Sequence, residues 1–244
     1  MEKNADSVLS MNNVRFTING KEILRSVSLD VKKGSAVTIM GPNGAGKTTL
    51  IKIALGLLQP TKGEFYFLGK KSLDKERRKL LGYIPQNLGL VNELSVFSNI
   101  MMGALRRMPR WRSITSMYPR QLIDEVYTLM YTLKVTGLKD TKIKNLSGGE
   151  KQRVAIARTL IQKPSMILAD EMTASLDFKA AAAVMDIFSE IREKMGITLL
   201  MTHHNPDISK KYSDTIFIMN NGRIENSISS KDIDKDTLVN LYDN

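Results

Sequence analysis

The stretch GPNGAGKT, residues 41–48, decides the fold. A glycine, four residues, a second glycine, a lysine and a threonine form the pattern of a loop that binds polyphosphate. The apolar run AVTIM, residues 36–40, predicts a short buried strand leading into the loop, and TTLIKIAL, residues 48–55, predicts the helix that follows. Inward-turning backbone N–H groups and the helix N-terminus attract phosphate. The segment therefore predicts a nucleotide site in which Lys47 reaches the β- and γ-phosphates and Thr48 ligates Mg²⁺.

A second segment, LSGGEKQR at residues 146–153, precedes a strong helical pattern. Ser147 and Glu150 stand three residues apart and predict a capping box at the start of that helix. Apolar residues then recur at helical spacing, and Pro164 follows as a stop signal. A well-capped helix explains Ser147 and Glu150. It does not explain the two glycines between them, which weaken a helix start and leave N–H groups open to an anion.

With these two segments the chain resembles the ATP-binding-cassette (ABC) ATPases over about residues 8–224. Residues 41–48 are similar to the Walker A loop of that family, and residues 146–152 to its signature motif. The resemblance implies a head-to-tail dimer with two ATP molecules, in which the signature residues of one subunit contact the γ-phosphate held by the other. Those residues are Ser147, Gly148 and Gly149. Contacts to ATP within one subunit are implied for Gly41, Pro42, Asn43, Gly44, Ala45, Gly46, Lys47, Thr48 and Thr49.

The apolar run SMILADE, residues 165–171, predicts a buried strand that ends in two acids. Open α/β sheets bind ligands at the carboxyl ends of their strands, so these acids are candidates for the site. The run resembles the Walker B motif of the family. That resemblance implies that Asp170 holds Mg²⁺ together with Thr48 and Gln86, and that Glu171 polarises the attacking water.

Two more catalytic residues are implied by the resemblance. Gln86 matches the glutamine of the Q-loop, and His203 matches the switch histidine that contacts the γ-phosphate. His203 follows another predicted buried strand, residues 197–202. The two histidines of the chain are adjacent and it has no cysteine, so a metal-binding histidine pair is a poor alternative.

Three positions depart from the family pattern. The aromatic residue that stacks on adenine falls at Ile18, and Phe16, two residues earlier on the same strand face, is the candidate replacement. Ile18 and Phe16 are therefore both candidates for contact with the adenine base. Met172 stands where a proline follows the catalytic glutamate, and His204 replaces the acid after the switch histidine. None of these changes removes a catalytic group.

Composition narrows the class of protein. The chain has 244 residues, 42% of them hydrophobic, which is enough for a large core. It has no run of 18 apolar residues, no signal-peptide-like N-terminus and no cysteine. We therefore expect a cytoplasmic protein, and the resemblance implies a peripheral position on the cytoplasmic face of the cell membrane.

The formal net charge of +11 has three readings: solvated basic faces, proximity to anionic lipid heads, or nucleic acid. The basic pairs and triplets are dispersed along the chain, as at residues 70–71, 77–79 and 210–211. This favours solvated faces, and no nucleic acid partner is expected.

The order of these motifs along the chain predicts an α/β fold: a P-loop NTPase (RecA-like) core with an N-terminal antiparallel β region and an inserted helical subdomain. We expect one domain over residues 8–230. Residues 8–89 and 151–230 would form the nucleotide-binding core, residues 90–150 the helical subdomain with the signature at its end, and residues 231–244 a C-terminal tail.

The predicted helical subdomain, residues 90–150, contains the segment that indicates a substrate. Residues 98–105, 107–113 and 118–120 look like the insertion of phosphonate-importer ATPases. The resemblance implies an importer for phosphonate or a related phosphorus oxyanion. Its partners would be transmembrane permease subunits, a second ABC ATPase subunit, in a homodimer, and a separate solute-binding protein.

Four alternatives stay open at this point: the ATPase of another importer, that of an exporter, a soluble ABC ATPase acting on nucleic acid or ribosomes, and a P-loop kinase. The signature segment argues against a kinase. Residues 86–146 show no sustained heptads, which argues against the coiled coil of the DNA-repair members. The chain has one cassette, whereas translation-factor members usually have two.

Overall fold

Two sheets organise the computed structural model, which describes residues 6–71, 74–108 and 118–232. The larger sheet has six strands in the order β5-β6-β7-β3-β8-β9, all parallel except β9. The smaller sheet, β2-β1-β4, is antiparallel. The strands are β1 Ser7–Ile18, β2 Lys21–Lys32, β3 Ala36–Met40, β4 Lys62–Phe67, β5 Leu81–Ile84, β6 Met166–Asp170, β7 Thr198–Thr202, β8 Thr215–Asn220 and β9 Arg223–Ser229.

Helices connect the parallel strands. The described residues contain α1 Lys47–Ala54, α2 Lys75–Arg78, α3 Val96–Ala104, α4 Arg120–Thr132, α5 Gly148–Leu160, α6 Phe178–Met195 and α7 Pro206–Tyr212, with short 3₁₀ turns at Leu105–Arg107, Thr136–Leu138 and Ile143–Asn145. The α/β class, the N-terminal antiparallel sheet and the helices on either side of the signature are thus confirmed. The expected tail and the middle of the phosphonate-like insertion lie largely outside the described residues.

The three strands at the centre of the sheet bring the functional loops together. Every residue of β3, β6 and β7 is buried, as expected for parallel strands covered on both faces. β6 and β7 pair so that Asp170 lies opposite Thr202, and β3 pairs with β7 so that Ile39 also lies opposite Thr202. The carboxyl ends of the three strands therefore meet at one edge, where the phosphate loop leaves β3.

Residues along β6 alternate between two hydrophobic cores. Ile167 and Ala169 face the larger core, which α3, α4, α5 and α6 cover. Met166 and Leu168 face the smaller core, which is formed by α1 and the antiparallel sheet. The helices of residues 90–150 thus share a core with one face of the sheet, and the division drawn at residue 150 falls inside α5. Among the described helices, none has the length and apolarity required to cross a membrane.

Close packing of α3 on α5 depends on Gly103. A Cβ at this position would lie 2.1 Å from the carbonyl oxygen of Arg158. Gly103→Ala should therefore lower the free energy of unfolding by about 1–3 kcal/mol, because the clash outweighs alanine's better helix propensity. Denaturant titration measures the change. Gly137→Ala is the matched control, since a Cβ there meets nothing within 4 Å. Equal stability of the two variants would contradict the packing argument.

Candidate nucleotide site

The phosphate loop folds around the ammonium group of Lys47. Its Nζ donates to the carbonyl oxygens of Gly41 at 2.7 Å and Pro42 at 3.1 Å, and the residue is only 6% exposed. Gly46 closes the loop with a φ of 106°, and a Cβ there would lie 2.8 Å from a methyl group of Leu24. Only glycine fits this turn. The cation is therefore held at the centre of the loop, at the start of α1.

The loop borders a cleft of about 470 Å³. Eight of the predicted ATP-binding or catalytic residues line it: Asn43, Gly44, Gly46, Lys47, Thr48, Thr49, Gln86 and Glu171. The sequence did not single out the opposite wall, which comes from β2 and from the turn between β8 and β9. The full lining is Lys21, Glu22, Ile23, Arg25, Asn43, Gly44, Gly46, Lys47, Thr48, Thr49, Gln86, Glu171, Asn221 and Gly222.

Glu171 lies one residue beyond β6, between a cation and an amide. Its Oε1 is 3.6 Å from Lys47 Nζ, and its Oε2 accepts a hydrogen bond from Gln86 Nε2 at 3.0 Å. The residue has a φ of 45°, in the left-handed region that non-glycine residues seldom adopt. Its backbone N–H donates to Thr202 Oγ1 at 3.0 Å. The unusual backbone turns the carboxylate toward the phosphate loop.

Asp170 is buried at the end of β6 and accepts a hydrogen bond from Thr202 Oγ1 at 2.7 Å. Together with Thr48 and Gln86 it lines a second cavity of about 460 Å³. The three residues predicted to hold Mg²⁺ are thus gathered around one space. They offer a carboxylate, a hydroxyl and an amide oxygen, the hard oxygen donors that Mg²⁺ prefers.

His203 is buried just beyond β7 and is held by both ring nitrogens. The backbone N–H of Asn205 donates to Nδ1 at 2.9 Å, so the proton of the neutral ring lies on Nε2, which is 2.8 Å from Thr173 Oγ1. Burial, with a smaller electrostatic contribution from the neighbouring His204, lowers the pKa of His203 from 6.5 to about 4. The ring is therefore neutral at physiological pH and can donate one hydrogen bond.

The signature residues lie at the start of α5. Ser147 begins α5 with the predicted capping box: Glu150 Oε2 accepts from the Ser147 N–H and Oγ, both at 2.8 Å, and the Glu150 N–H donates back to Ser147 Oγ. Ser147 and Gly148 are exposed, and a Cβ at Gly149 would have Val184 as its nearest neighbour, at 3.9 Å. None of the three signature residues lines the cleft around Lys47.

Neither candidate base contact lines the cleft. Ile18 ends β1 opposite Lys21 and is 51% exposed, whereas Phe16 is half-buried and packs against the smaller core. A register shift separates Phe16 from Thr17, so the shared strand face assumed from the sequence is interrupted. Contact of either residue with adenine stays a prediction.

The structure also shows the environment of Met172 and His204, the other two departures from the family pattern. Met172 is buried and belongs to the larger core, where a flexible side chain can fill irregular space. His204 is exposed and stacks on the His203 ring, with centroids 5.4 Å apart.

The low pKa of His203 predicts an acid-sensitive fold. The unfolded chain binds a proton at this side chain near pH 6.5 and the folded chain near pH 4, so acidification between these values favours unfolding. The contribution of His203 to the free energy of unfolding should fall by roughly 3 kcal/mol over this interval. His203→Asn should lose this part of the pH dependence while keeping that of the carboxylates. Parallel stability–pH curves for the two proteins would contradict the prediction.

Comparisons with known proteins identify the family of the chain. Residues 24–174 match the ABC transporter family. The chain is 34% identical over 244 residues to the phosphonates import ATP-binding protein PhnC of Maricaulis maris, with 96% of this chain and 92% of that protein covered. It is 33% identical over 224 residues to the protein of the same name from Treponema denticola, with 89% and 88% covered.

Solved structures of cassettes superpose on most of the chain. cbiO1 from Clostridium perfringens, part of the ABC transporter complex cbiONQ, gives a TM-score of 0.84 at 27% identity, covering 97% of this chain and 94% of that one. The dimeric post-hydrolysis state of the cassette MJ0796 bound to ADP and Pi gives 0.78 at 27% identity, covering 92% and 100%. The chain therefore belongs to the ABC transporter family, as a cassette that binds and hydrolyses ATP.

Proposed function

We propose that this chain hydrolyses ATP in the cleft between Lys47 and Glu171 and thereby drives import of phosphonate or a related phosphorus oxyanion. The observation that carries the proposal is the position of the Glu171 carboxylate, 3.6 Å from Lys47 Nζ and 3.0 Å from the Gln86 amide. A base placed beside the phosphate-binding cation can act on a water that attacks the γ-phosphate. The names of the curated relatives support phosphonate as the solute.

Lys47, Glu171 and Gln86 of the cleft have distinct parts in the proposed reaction, and so does the buried His203, which does not line the cleft. The Lys47 ammonium leaves its two loop carbonyls and pairs with the β- and γ-phosphates. Glu171 accepts a hydrogen bond from the attacking water, and Gln86 orients the Glu171 carboxylate. His203, neutral and protonated on Nε2, donates to the γ-phosphate in place of Thr173. Charge that develops on the phosphoryl oxygens would thus meet a cation and an N–H donor, once Lys47 and His203 have exchanged their present partners for phosphate.

We assign Mg²⁺ to Thr48, Asp170 and Gln86, whose oxygen atoms border the second cavity. When bound, the metal would offset the negative charge of the phosphates. The Thr202 hydroxyl keeps Asp170 oriented toward that cavity by donating to Oδ1. Asp170 is thereby a fixed ligand, while Gln86 lies on a loop.

We assign the exposed Ser147–Gly149 segment to the ATP of a second copy of this chain. Two features support this assignment. The segment lies at the N-terminus of α5, where the N–H groups of Gly148 and Gly149 have no acceptor within the helix, which suits an anion, and it does not line the cleft of its own subunit. The MJ0796 cassette, of similar fold, is dimeric in its state with ADP and Pi. Each of the two ATP sites would then combine the Walker A loop of one copy with the signature of the other.

We place the docking site for transmembrane permease subunits in a cleft of about 370 Å³ beside β5. Leu57, which is 62% exposed, offers an apolar anchor at its edge, and Arg78 and Arg106 add positive charge. The remaining lining residues are Leu55, Leu81, Tyr83 and Gln162. A permease at this cleft would hold the chain on the cytoplasmic face of the membrane. A separate solute-binding protein would select the phosphonate, since none of these residues can reach it.

Two variants separate chemistry from binding. Glu171→Gln keeps the shape and the hydrogen bond to Gln86 but removes the charge, so turnover should fall by about 10²–10⁴-fold while ATP still binds. Lys47→Ala removes a charge-assisted phosphate contact, so ATP affinity should fall by roughly 10–150-fold. Single-turnover hydrolysis and equilibrium titration measure the two effects. Lys62→Ala, an exposed lysine on β4, is the control and should alter neither.

Near-normal turnover of Glu171→Gln would overturn the assignment of the base. Unchanged ATP affinity of a folded Lys47→Ala variant would show that the loop is not the site.

Transport can be tested in the native host, in a strain lacking this chain. Phosphonate uptake should be lost and should return with the wild-type chain. Leu57→Asp should fail to restore uptake and should lose co-purification with a transmembrane protein, because a charge replaces the apolar anchor, while its ATP affinity is retained. Tyr131→Asp is the matched control, since Tyr131 is 79% exposed on α4 and outside the docking cleft. Normal phosphonate uptake in the deletion strain would refute the proposed solute.

A further inference from the structure

Arg158, near the C-terminal end of α5, forms a forked contact with the loop that carries Gln86. One guanidinium nitrogen donates to the carbonyl oxygen of Gly89 and the other to that of Leu88, both at 2.6 Å. The side chain is half-buried; its bond to Leu88 is partly shielded from solvent, whereas its bond to Gly89 is exposed. Lysine could not reproduce this contact, because a planar guanidinium presents two parallel N–H donors and an ammonium is a point charge.

The two carbonyl groups belong to a tight turn, which we call the Gln86 turn, residues 85–89. The Leu88 N–H donates to the Pro85 carbonyl at 2.8 Å, and the Gly89 N–H to that of Asn87 at 2.7 Å. Leu88 and Gly89 both have left-handed backbone angles, with φ of 58° and 57°. For Leu88 this conformation is unfavourable and needs outside support. The two bonds from Arg158 are placed where they give that support.

Gln86 projects from this turn toward the reacting groups. Its Nε2 donates to Glu171 Oε2, and the other oxygen of that carboxylate faces Lys47. A shift of the turn would therefore move an amide that touches the proposed base. The two hydrogen bonds from Arg158 are thus a direct polar link between the turn and α5.

We infer that Arg158 is a positioning residue for ATP hydrolysis: it fixes the Gln86 turn to α5 and thereby sets where Gln86 holds Glu171. The inference rests on the roles proposed above for Glu171 and Gln86. Through this role, Arg158 would connect the signature residues to the nucleotide site of their own subunit. Ser147 caps the same helix eleven positions earlier, about 16 Å away at 1.5 Å per residue. A force on the capped end is carried along a rigid helix to the turn.

The test compares Arg158→Met with wild type in the isolated cassette. Turnover (kcat) should fall by about 10–100-fold, since a displacement of roughly an ångström costs that much, while the KM for ATP changes by less than about twofold. Arg158→Lys should restore part of the lost turnover, because it keeps one donor. It also carries the test if Arg158→Met does not fold. Thermal unfolding is recorded for every variant.

Arg107→Met is the matched control. Arg107 also donates to a backbone carbonyl next to α5, that of Ile161 at 2.8 Å, and pairs with Glu125, but it does not touch the Gln86 turn. It should leave kcat unchanged even if it lowers stability. Equal losses of kcat in the Arg107 and Arg158 variants would show that Arg158 serves stability alone and would overturn the inference.

A double-mutant cycle distinguishes action through Gln86 from an independent effect. If Arg158 acts through Gln86, adding Arg158→Met to Gln86→Ala should reduce kcat by less than about twofold more. Losses that multiply would overturn the inference. Glu171→Gln in the same assay tests the underlying site: normal turnover there refutes the proposed base. A loss in Glu171→Gln and Gln86→Ala together with normal turnover in Arg158→Met refutes only the role of Arg158.

Discussion

The site depends on one hydroxyl group. Thr202 Oγ1 donates to Asp170 Oδ1 and accepts the backbone N–H of Glu171, so that a single side chain at the end of β7 fixes both acids at the end of β6. The parallel register places Thr202 opposite Asp170, and a slip of one residue would turn the hydroxyl to the other face of the sheet. The left-handed backbone of Glu171 is held by this bond. Sheet register therefore controls where the proposed base stands.

Sequence alone predicted the elements of this arrangement well, because each depends on local signals. Short contiguous segments predicted the phosphate loop, the capping box at Ser147 and the strands that end at Asp170 and Thr202. All of these elements are present in the structure. The helix predicted at residues 48–55 is α1, Lys47–Ala54, shifted by one residue. α5 ends at Leu160, earlier than the stop signal at Pro164 indicated.

Contacts between distant segments could not be predicted in this way. The wall of the cleft formed by Arg25 and Gly222 arises because the Arg25 N–H donates to the Gly222 carbonyl, nearly two hundred residues away in sequence. Arg158 reads as an ordinary polar position on an amphipathic helix, and its two acceptors lie about seventy residues earlier. For the base contact, the sequence offered Ile18 and Phe16, whereas the cleft is lined instead by β2. A pattern of residues specifies an element, but only packing specifies which elements face each other.

The position of the signature explains why one chain would hold only part of each reaction site. Lys47, Glu171 and Gln86 line one cleft, whereas Ser147 caps the exposed start of α5 and does not line that cleft. α5 is a direct route from that end toward the cleft, and it packs closely on α3 at Gly103. At the far end of this helix, Arg158 is the group that reaches the Gln86 turn. A second subunit bound at Ser147 would then affect both its own ATP, by direct contact, and the opposite site, through the orientation of Gln86.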